Sequence, residues 1–546
     1  MIRTEESAFT QPSELADRYD VVVMGSGASG LTAAVRAAHD GLRVVVVEKD
    51  AKLGGTTSAG GGVIWAPANH LGAAAGYEDS EQAGIDYLTA AAGDIMEPDD
   101  IAWYVTTSGE AVRFLDAHTR VELLPLTRPD YHMEWPGAAA GGRSLDNAAF
   151  RADDYPEIAE VLRQPTYFPL LTMVERDDLN GRAPDPALLN ERAEAGVRTM
   201  GGALAGSLTA SALDAGVDIV LGTPVTDLQR GQDGWSVTLD EAFVVRTGAV
   251  VIASGGFEFN PRLRETFLPL DVTPIGAPSN EGDGLELGMA AGASLQDMTA
   301  VWGVPIINAQ NQTYDGKPTG RMGNVEMTLP GSISVNQAGR RFVNEALNYH
   351  DAARVFANID PNTSKAENNP AWLVFDHTFM CKYPVAGSTP GDAPDWMLSA
   401  STLAELAELT GIEPEQLAET VEQFNADART GVDTAFGRGS TAQDRHLGDA
   451  SVEPNPCMAP LETGPYYAVP LHAGALGTSG GLATNHDGQV LDRFQEPIAG
   501  LYAAGNVSGG VFRNTYPGGG ATLGSGVTRG FAAGSHIVSV LAPVAS

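Results

Sequence analysis

A mostly apolar segment that runs into a glycine-rich turn near the start of the chain most constrains its fold. Residues 19–24 precede a Gly-x-Gly-x-x-Gly spacing at Gly25, Gly27 and Gly30, and a second apolar run after an alanine-rich stretch ends at Glu48. The first glycine permits a tight turn, the second lets the backbone approach a pyrophosphate, and the third lets helix and strand pack closely. The pattern predicts a dinucleotide-binding βαβ unit, with the pyrophosphate at the helix N-terminus and a ribose hydroxyl on Glu48.

Three more glycine-rich segments extend the predicted binding site. Residues 54–65 are too rich in glycine for a helix, so we predict a loop whose hydroxyls and amides face the ligand. Residues 500–506 form a strand that ends in a glycine turn, and residues 520–530 start a helix. Beyond the four residues named above, the predicted cofactor-binding residues are Ala28, Ser29, Lys49, Gly55, Thr56, Thr57, Ser58, Gly61, Gly62, Val225, Ala253, Ser254, Gly255, Gly505, Asn506, Gly520, Ala521, Thr522 and Leu523.

The length of 546 residues exceeds one ordinary core, so two domains are expected. We predict an α/β fold with a Rossmann-like cofactor domain, in which a β-meander accompanies a parallel sheet, and an inserted α+β cap. The cofactor domain would comprise residues 1–297 and 469–546, and the cap or catalytic domain residues 298–468. Short strands are predicted at 217–221, 224–229, 235–240, 243–247 and 249–253, and two helices at 401–427.

Composition narrows the class of protein. The net charge of −36 argues against nucleic acid and anionic membranes as main partners. Only Cys381 and Cys457 occur, without a metal-binding spacing, so we expect two reduced, buried thiols and no metal site. No apolar run approaches the length of about 20 residues that a membrane span needs. The first residues lack the apolar region of a signal peptide. We expect a cytoplasmic protein, with peripheral membrane contact left open.

Further motifs, taken with the glycine-rich turn, resemble the fumarate reductase/3-ketosteroid dehydrogenase superfamily of FAD enzymes. They are Ala253-Ser-Gly-Gly-Phe257, Gly282-Asp-Gly284, Gly339-Arg-Arg-Phe-Val-Asn-Glu345, Gly464-Pro-Tyr-Tyr-Ala468 and Ala504-Gly-Asn506. The resemblance spans nearly the whole chain and implies FAD beneath a mobile cap. Members with covalent FAD carry a histidine after the double glycine, where this chain has threonines and a serine, so non-covalent FAD is expected.

Three positions separate the branches of this superfamily. Fumarate-type members bind a dicarboxylate with two arginines and a histidine, since guanidinium groups bind carboxylates in a bidentate manner. In this chain, the residues that resemble those positions in the motifs are Tyr349 and Tyr516 in place of the two arginines, and the segment Leu476-Gly-Thr-Ser-Gly-Gly481 in place of the histidine motif. All three carboxylate ligands are missing, so a reductase of this type is a minor alternative.

The replacing residues resemble the 3-ketosteroid Δ1-dehydrogenase branch, with Tyr516-Pro-Gly-Gly-Gly-Ala-Thr-Leu-Gly524 as its late motif. An earlier segment, Asp130-Tyr-His-Met-Glu-Trp-Pro-Gly137, resembles the branch motif D-Y-Y-P-E-x-P-G. This chain departs from the branch at His132, which stands where a second tyrosine is usual, and at Pro517. The departures leave open which ketone is preferred.

The resemblance implies a role for each candidate catalytic residue. Tyr349 would remove the α-proton of a ketone, while the Tyr516 hydroxyl and the Gly520 N–H would form an oxyanion hole for the carbonyl. Because a phenol is a weak base at pH 7, Tyr131 or His132 would assist Tyr349, with Tyr131 favoured. Hydride would pass to N5 of FAD, and electrons would pass on to a quinone-type acceptor.

The expected function is therefore the introduction of a C=C bond next to a ring ketone, foremost the 1,2-desaturation of a 3-ketosteroid. Alternatives are a dehydrogenase of a smaller cyclic ketone, a Δ4-(5α)-type steroid desaturase, an ene reductase and a flavin carrier without turnover. The paired tyrosines beside the glycine loop favour catalysis over a carrier, since a carrier needs no such groups.

Overall fold

The structure is a computed structural model that describes residues 8–92, 95–152, 155–179, 184–309 and 312–542. The β-strands are β1 (Arg18–Met24), β2 (Val44–Val47), β3 (Ile64–Trp65), β4 (Leu123–Pro125), β5 (Ser144–Asn147), β6 (Asp218–Val220), β7 (Val225–Gly231), β8 (Gly234–Leu239), β9 (Phe243–Ile252), β10 (Thr273–Pro274), β11 (Leu295–Gln296) and β12 (Val301–Ile307). They continue with β13 (Thr313–Tyr314), β14 (Lys317–Pro318), β15 (Arg321–Met322), β16 (Ser332–Asn336), β17 (Ile359–Asp360), β18 (Lys365–Ala366), β19 (Ala371–Phe375), β20 (Leu398–Ala400), β21 (Tyr466–Thr478), β22 (Gly481–Leu482), β23 (Gln489–Leu491) and β24 (Pro497–Ala503).

Helices connect these strands, three of them short 3-10 helices at Pro12–Glu14, Arg354–Ala357 and Gly505–Val507. The α-helices begin with α1 (Ala28–His39), α2 (Gly55–Ala59), α3 (His70–Ala74), α4 (Glu81–Ala92), α5 (Pro98–His118), α6 (Pro156–Val161), α7 (Met173–Asp178), α8 (Pro186–Glu194) and α9 (Met200–Asp214). They end with α10 (Pro261–Phe267), α11 (Asp283–Ala290), α12 (Asn324–Thr328), α13 (Tyr349–Ala353), α14 (His377–Lys382), α15 (Leu403–Thr410), α16 (Pro414–Thr430), α17 (Ala442–His446) and α18 (Ala521–Leu541).

The first sheet has the strand order β23-β24-β9-β1-β2-β6, and β24, β9, β1, β2 and β6 run parallel. Alternate valines of β1 point to opposite faces, so Val21 and Val23 pack with helices α1 and α9 while Val22 packs with Trp235 of β8. Strands β7, β8 and β9 form an antiparallel meander on the same sheet. The predicted α/β fold, with its parallel sheet and meander, is confirmed.

Helix α18 joins the end of the chain to the first βαβ unit. It packs on α1 so closely that a Cβ on Gly530 would lie 2.3 Å from the carbonyl oxygen of Ser29. Strand β24 pairs with β9 from Leu501↔Val250 to Ala503↔Ile252, which brings the turn at Gly505 to the carboxyl edge of the sheet. Both distant glycine-rich segments therefore lie at one edge, where α/β folds bind their ligands.

A second sheet has seven strands and the order β15-β12-β21-β19-β16, with β10 and β20 also paired to β21. Its longest strand, β21, runs without interruption across the predicted boundary at residue 468, and β10 precedes the predicted boundary at residue 297. The second sheet is thus more extensive than the predicted cap. The domain boundaries themselves stay a prediction.

Several local expectations were wrong. Residues 55–59 form the short helix α2, because Gly54 adopts φ +92° and turns the chain into a helical segment of threonines and a serine. The two strands predicted between 243 and 253 are the single strand β9. Cys381 is exposed, while Cys457 is buried as expected.

No described helix is long and apolar enough to cross a membrane.

Candidate active site

The N-terminus of α1 provides free hydrogen-bond donors at the carboxyl edge of the sheet. The Ala28 amide donates to Thr57 Oγ1 at 3.0 Å, which ties α1 to α2. The amides of Ser29 and Gly30, in the first turn of α1, donate to no acceptor within the described part of the chain. Ser254 Oγ is buried nearby, again without a partner among the described residues. These unsatisfied groups fit a pyrophosphate-containing cofactor.

Glu48 lies directly after β2 and completes the cofactor cradle, by which we mean residues 25–30, Glu48 and Ser254. Its Oε2 accepts hydrogen bonds from the Ser26 amide at 3.0 Å and the Ser26 hydroxyl at 2.7 Å, and its Oε1 accepts one from the Asp50 amide at 2.9 Å. Ser26 Oγ in turn accepts from the Gly54 amide at 2.9 Å. The carboxylate therefore holds the glycine-rich turn in shape, and its predicted contact with a ribose stays a prediction.

Replacing Glu48 with alanine should weaken cofactor retention. The change removes an acceptor for three donors, and charged hydrogen bonds contribute about 1.5–3 kcal/mol each, so we expect the dissociation constant of the cofactor to rise at least about tenfold. Ultrafiltration followed by flavin fluorescence measures it. The control is Asp40→Ala, which removes a surface ion pair with Arg36 at the far end of α1. Equal retention by Glu48→Ala and wild type would contradict the role of Glu48.

A single cavity of about 1510 Å³ joins this cradle to the substrate side. Most predicted cofactor-binding residues line it: Gly25, Gly27, Ala28, Ser29, Glu48, Lys49, Gly55, Thr56, Thr57, Gly61, Gly62, Val225, Ala253, Ser254, Gly255, Gly505, Asn506, Gly520, Thr522 and Leu523. Gly30, Ser58 and Ala521 are buried beside the cavity and do not line it. Direct contact of these three residues with the cofactor stays a prediction.

Gly520 begins α18 with φ +100°, a conformation that favours glycine. A Cβ at this position would lie 2.7 Å from the carbonyl oxygen of Val63, so this backbone contact also requires glycine. The Gly520 amide lines the cavity and donates to no acceptor in the described residues. It is free to bind an oxyanion.

The hydroxyls of Tyr349 and Tyr516 meet in the cavity, although 167 positions separate them in the chain. Tyr349, the first residue of α13, donates to Tyr516 Oη at 2.9 Å. Tyr516 Oη also lies 3.1 Å from Thr522 Oγ1 in the first turn of α18. The Tyr516 proton is therefore available for Thr522 or for a ligand carbonyl.

Tyr131 completes an aromatic cluster around this contact. Its ring lies 5.6 Å from that of Tyr349 in an edge-on arrangement and stacks 5.7 Å from that of Tyr516. Its amide donates to the Pro517 carbonyl at 3.2 Å, which fixes the loop of residues 130–137 against the late glycine loop. The structure thus brings together all four predicted catalytic residues, Gly520 included.

Burial raises the pKa of all three tyrosines. The pKa of Tyr349 lies well above 10.0 because burial disfavours the phenolate and the neighbouring Tyr131 and Tyr516 add to the effect. Burial also raises the pKa of Tyr516 and Tyr131, against hydrogen bonds that lower it. All three side chains are phenols at neutral pH.

His132 faces away from the tyrosines. Its Nε2 lies 2.8 Å from Asp351 Oδ2 and its Nδ1 lies 3.0 Å from Glu134 Oε1, while its ring stacks on Trp135. Burial disfavours the charged ring, but these two carboxylates outweigh it and raise the pKa of His132. The contact with Asp351 clamps α13, and no tyrosine side chain in the described residues bonds the ring. Of the two helpers left open by the sequence, the geometry favours Tyr131.

Some supporting residues escaped sequence analysis. Asp130, buried beside Tyr131, accepts from Trp65 Nε1 at 2.8 Å and from Arg143 Nη1 at 2.7 Å. Burial raises its pKa to about 6, against the nearby guanidinium. Trp302 donates to Asn506 Oδ1 at 2.9 Å and packs edge-on against Tyr516. These contacts position the tyrosines relative to the cradle, and only the adjacency of Asp130 to Tyr131 hinted at them.

Glu258 is a further buried carboxyl near the cradle. It accepts from Asn280 Nδ2 at 2.6 Å and from the Thr478 amide at 3.3 Å, and Asn280 also donates to Thr56 Oγ1 at 2.8 Å. Burial raises the pKa of Glu258 to about 7. The network connects the second sheet, through Thr478, to helix α2. The motif around Gly255 and Gly256 marked the region, but not this carboxyl.

Comparison with known proteins identifies the family and its cofactor. The FAD binding domain family matches residues 20–523. The chain is 40% identical over 533 residues to the 4-oxocyclohexanecarboxylate 2-dehydrogenase of Sinomonas cyclohexanicum, spanning 95% of this chain and 92% of that protein. It is 36% identical over 559 residues to the 3-oxosteroid 1-dehydrogenase of Mycobacterium tuberculosis H37Rv, spanning 95% and 98%.

A solved structure supports the same family assignment. The 3-ketosteroid Δ1-dehydrogenase of Sterolibacterium denitrificans, in complex with 1,4-androstadiene-3,17-dione, matches with a TM-score of 0.87 and 33% identity over 96% of this chain and 100% of that one. The predictions of FAD as cofactor and of the family are confirmed. The chain belongs to the FAD-dependent fumarate reductase/3-ketosteroid dehydrogenase superfamily.

Proposed function

We propose that this protein is a dehydrogenase that introduces a C=C bond next to the carbonyl of a ring ketone. The observation that carries the proposal is the 2.9 Å contact between the hydroxyls of Tyr349 and Tyr516, which line one cavity with the free amide of Gly520 and the FAD cradle. A binding protein without turnover has no need of these groups. They are what enolate formation requires.

Tyr516 and Gly520 hold the carbonyl oxygen. The Tyr516 hydroxyl accepts from Tyr349 and keeps its own proton for donation, and the Gly520 amide supplies a second donor. As negative charge develops on the ketone oxygen, both hydrogen bonds strengthen, which lowers the barrier to loss of the α-proton. The Tyr516 side chain is buried, so its hydrogen bond to the ketone acts in a lower dielectric than that of water.

Tyr349 removes the α-proton. Its raised pKa makes the phenolate scarce at neutral pH, so a proton must leave the cluster as the substrate proton enters. Tyr131, whose ring is edge-on to that of Tyr349, is the relay residue in this proposal, and it passes the proton on to solvent in the cavity that it lines. When bound, FAD supplies the acceptor for the hydride that leaves the β-carbon.

The substrate class follows from the relatives and the cavity. One relative is named for a monocyclic keto acid and the other for 3-oxosteroids, and both substrates contain a six-membered ring ketone. The cavity walls beyond the tyrosines include Phe168, Leu171, Met173 and Met322, which suit an apolar ring system. We therefore assign a cyclic ketone, monocyclic or steroidal, as the substrate.

Anaerobic bleaching of the bound flavin tests the proposed function. The protein is mixed without oxygen with a panel of saturated ring ketones, and absorbance near the flavin band is followed. Cyclohexanone derivatives or 3-oxosteroids should reduce the flavin and yield the α,β-unsaturated ketone. Fumarate and succinate serve as controls, and they should change neither absorbance nor product. A flavin that stays oxidised with every ring ketone would contradict the proposal.

Electrons should leave through a quinone or a dye, in this proposal, because the sequence contains one dinucleotide fingerprint and no second one for a nicotinamide. Steady turnover should therefore require such an acceptor and should neither consume nor form NAD(P)H. Absorbance at the nicotinamide band measures this directly. Robust NAD(P)H-linked turnover by the purified protein would argue against it.

The flavin should be non-covalent. Residues 54–62, which line or border the cradle, contain threonines, a serine and no histidine to form a covalent link. Acid precipitation should leave yellow FAD in the supernatant and a colourless pellet. Flavin that stays with the denatured polypeptide would contradict this expectation.

A further inference from the structure

The cavity wall away from the FAD cradle contains four basic side chains, which differ in their partners. Arg128 pairs with Asp177 at 2.6 Å, and Lys382 pairs with Asp449 at 2.6 Å. Arg176 and Arg321 form no ion pair with any acidic side chain of the described residues. In a chain with a net charge of −36, two guanidinium groups without a carboxylate partner are unexpected in a cavity for a neutral ligand.

The two arginines lie over one pair of aromatic rings. Tyr167 and Phe168 stack with ring centroids 4.8 Å apart. The Arg321 guanidinium lies 5.1 Å from the centroid of the Tyr167 ring, and that of Arg176 lies 5.9 Å from the Phe168 centroid. Because adjacent rings carry the two groups, both charges face the same region of the cavity.

Each guanidinium keeps donors free. The hydrogen bond of Arg176 within the described residues goes to Met173 Sδ at 3.9 Å, which is a weak acceptor. The Arg321 side chain makes no hydrogen bond to the described residues, and Gly387 leaves room for it, since a Cβ there would lie 2.3 Å from Arg321 Nη1. Planar guanidinium groups with free donors are suited to bidentate binding of a carboxylate.

Glu326 is an acidic group near both arginines, and it forms no ion pair with either one among the described residues. Its carboxyl accepts from the Ala386 amide at 3.0 Å. Burial raises the pKa of this carboxyl, although both arginines oppose the shift.

We propose that Arg176 and Arg321 bind a carboxylate on the substrate, so that the preferred substrate is a ring ketone with an anionic substituent away from the carbonyl. The inference rests on the proposed function and names its substrate class. The ketone end contacts the tyrosines, and the carboxylate end contacts the arginines across the same cavity. The acid can be a monocyclic keto acid or a 3-oxosteroid with a carboxylated side chain.

Acid and ester pairs of otherwise identical ketones test this inference. The probes are 4-oxocyclohexanecarboxylate with its methyl ester, and a 3-oxosteroid side-chain acid with its methyl ester. In the wild type, kcat/KM for the acid should exceed that for the ester by about tenfold or more in at least one pair, since charged hydrogen bonds of this kind carry such factors. The pair that shows the larger ratio identifies the source of the carboxylate.

Variants then assign the effect to the two arginines. Arg176→Gln and Arg321→Gln should each lower the acid-to-ester ratio about tenfold, and the double variant should bring it near one. The control is Lys382→Met, which removes a cavity cation that already has an acidic partner. Lys382→Met should leave the ratio within about twofold of wild type. The absorbance spectrum of bound FAD reports that each variant is folded.

A binding measurement on the wild type keeps the inference separable from the proposed function. Cyclohexanecarboxylate, which has no ketone, should bind with a dissociation constant at least about tenfold lower than cyclohexylmethanol in equilibrium dialysis. If no ketone reduces the flavin but this preference holds, the proposed function fails and the carboxylate site stands. Equal binding of both probes, or an acid-to-ester ratio that neither arginine variant changes, would overturn the inference.

Discussion

Replacing Tyr516 with phenylalanine is expected to lower the rate of anaerobic flavin reduction by a ring ketone by about 10²- to 10³-fold, since one oxyanion donor contributes roughly 3–4 kcal/mol. The ring should keep its place, because it stacks on Tyr131 and His350 and packs edge-on against Trp302. The change removes the donor to the carbonyl together with the contacts of that hydroxyl with Tyr349 and Thr522. Stopped-flow absorbance measures the rate.

Tyr104→Phe is the matched control for this experiment. Tyr104 belongs to the same aromatic cluster, and its hydroxyl donates to the Trp65 carbonyl at 2.6 Å without lining the cavity. Its loss should cost about 1 kcal/mol of stability and leave flavin reduction within about threefold of wild type. A rate for Tyr516→Phe that matches this control would remove Tyr516 from the oxyanion hole.

Replacing Tyr349 with phenylalanine is expected to abolish flavin reduction while ketone binding survives, since the proposed base is lost and the carbonyl donors stay. In the proposed mechanism, the active form of the wild type is the phenolate of Tyr349, and burial raises the pKa of this tyrosine well above 10.0. At pH values below that pKa, the phenolate fraction increases about tenfold for each unit by which the pH is raised. The rate of flavin reduction should therefore rise from pH 7 to pH 9 and fall as the pH is lowered.

The pH profile separates a base from a packing residue. Any residual rate of Tyr349→Phe should lose the steep rise with pH, because no group that titrates above 10 then limits the reaction. Binding of a ketone, followed by perturbation of the flavin spectrum, is the control for an intact pocket. A variant that keeps the wild-type slope would show that another group titrates.

Much of the cofactor domain could be predicted from the sequence, because its signals are local. The Gly25–Gly30 turn, the valines of β2 and the acid at position 48 follow one another within one βαβ unit. Turn residues and alternation in residues 217–253 similarly predicted the meander. Where neighbours in sequence decide the backbone, spacing suffices. The helix at 55–59 was missed because glycine content argued against it, whereas one left-handed glycine starts it.

The candidate catalytic residues needed the resemblance as well as the residues. No spacing in the chain predicts that Tyr349 and Tyr516 share a hydrogen bond, since two different sheets and helices position them. The same is true of Arg176 and Arg321, which lie over neighbouring rings because β15 pairs with β12 and brings Arg321 over Tyr167. Long-range packing, which a single sequence does not encode locally, places these groups.

Exchange of the ketone α-proton in heavy water tests the central claim most directly. The flavin is first reduced chemically, so that a saturated ring ketone cannot lose hydride, and deuterium at the α-carbon is followed by NMR. The wild type should exchange the proton, Tyr516→Phe should exchange it about 10²-fold more slowly, and Tyr349→Phe should not exchange it above the rate in buffer. Exchange by Tyr349→Phe at the wild-type rate would show that Tyr349 is not the base.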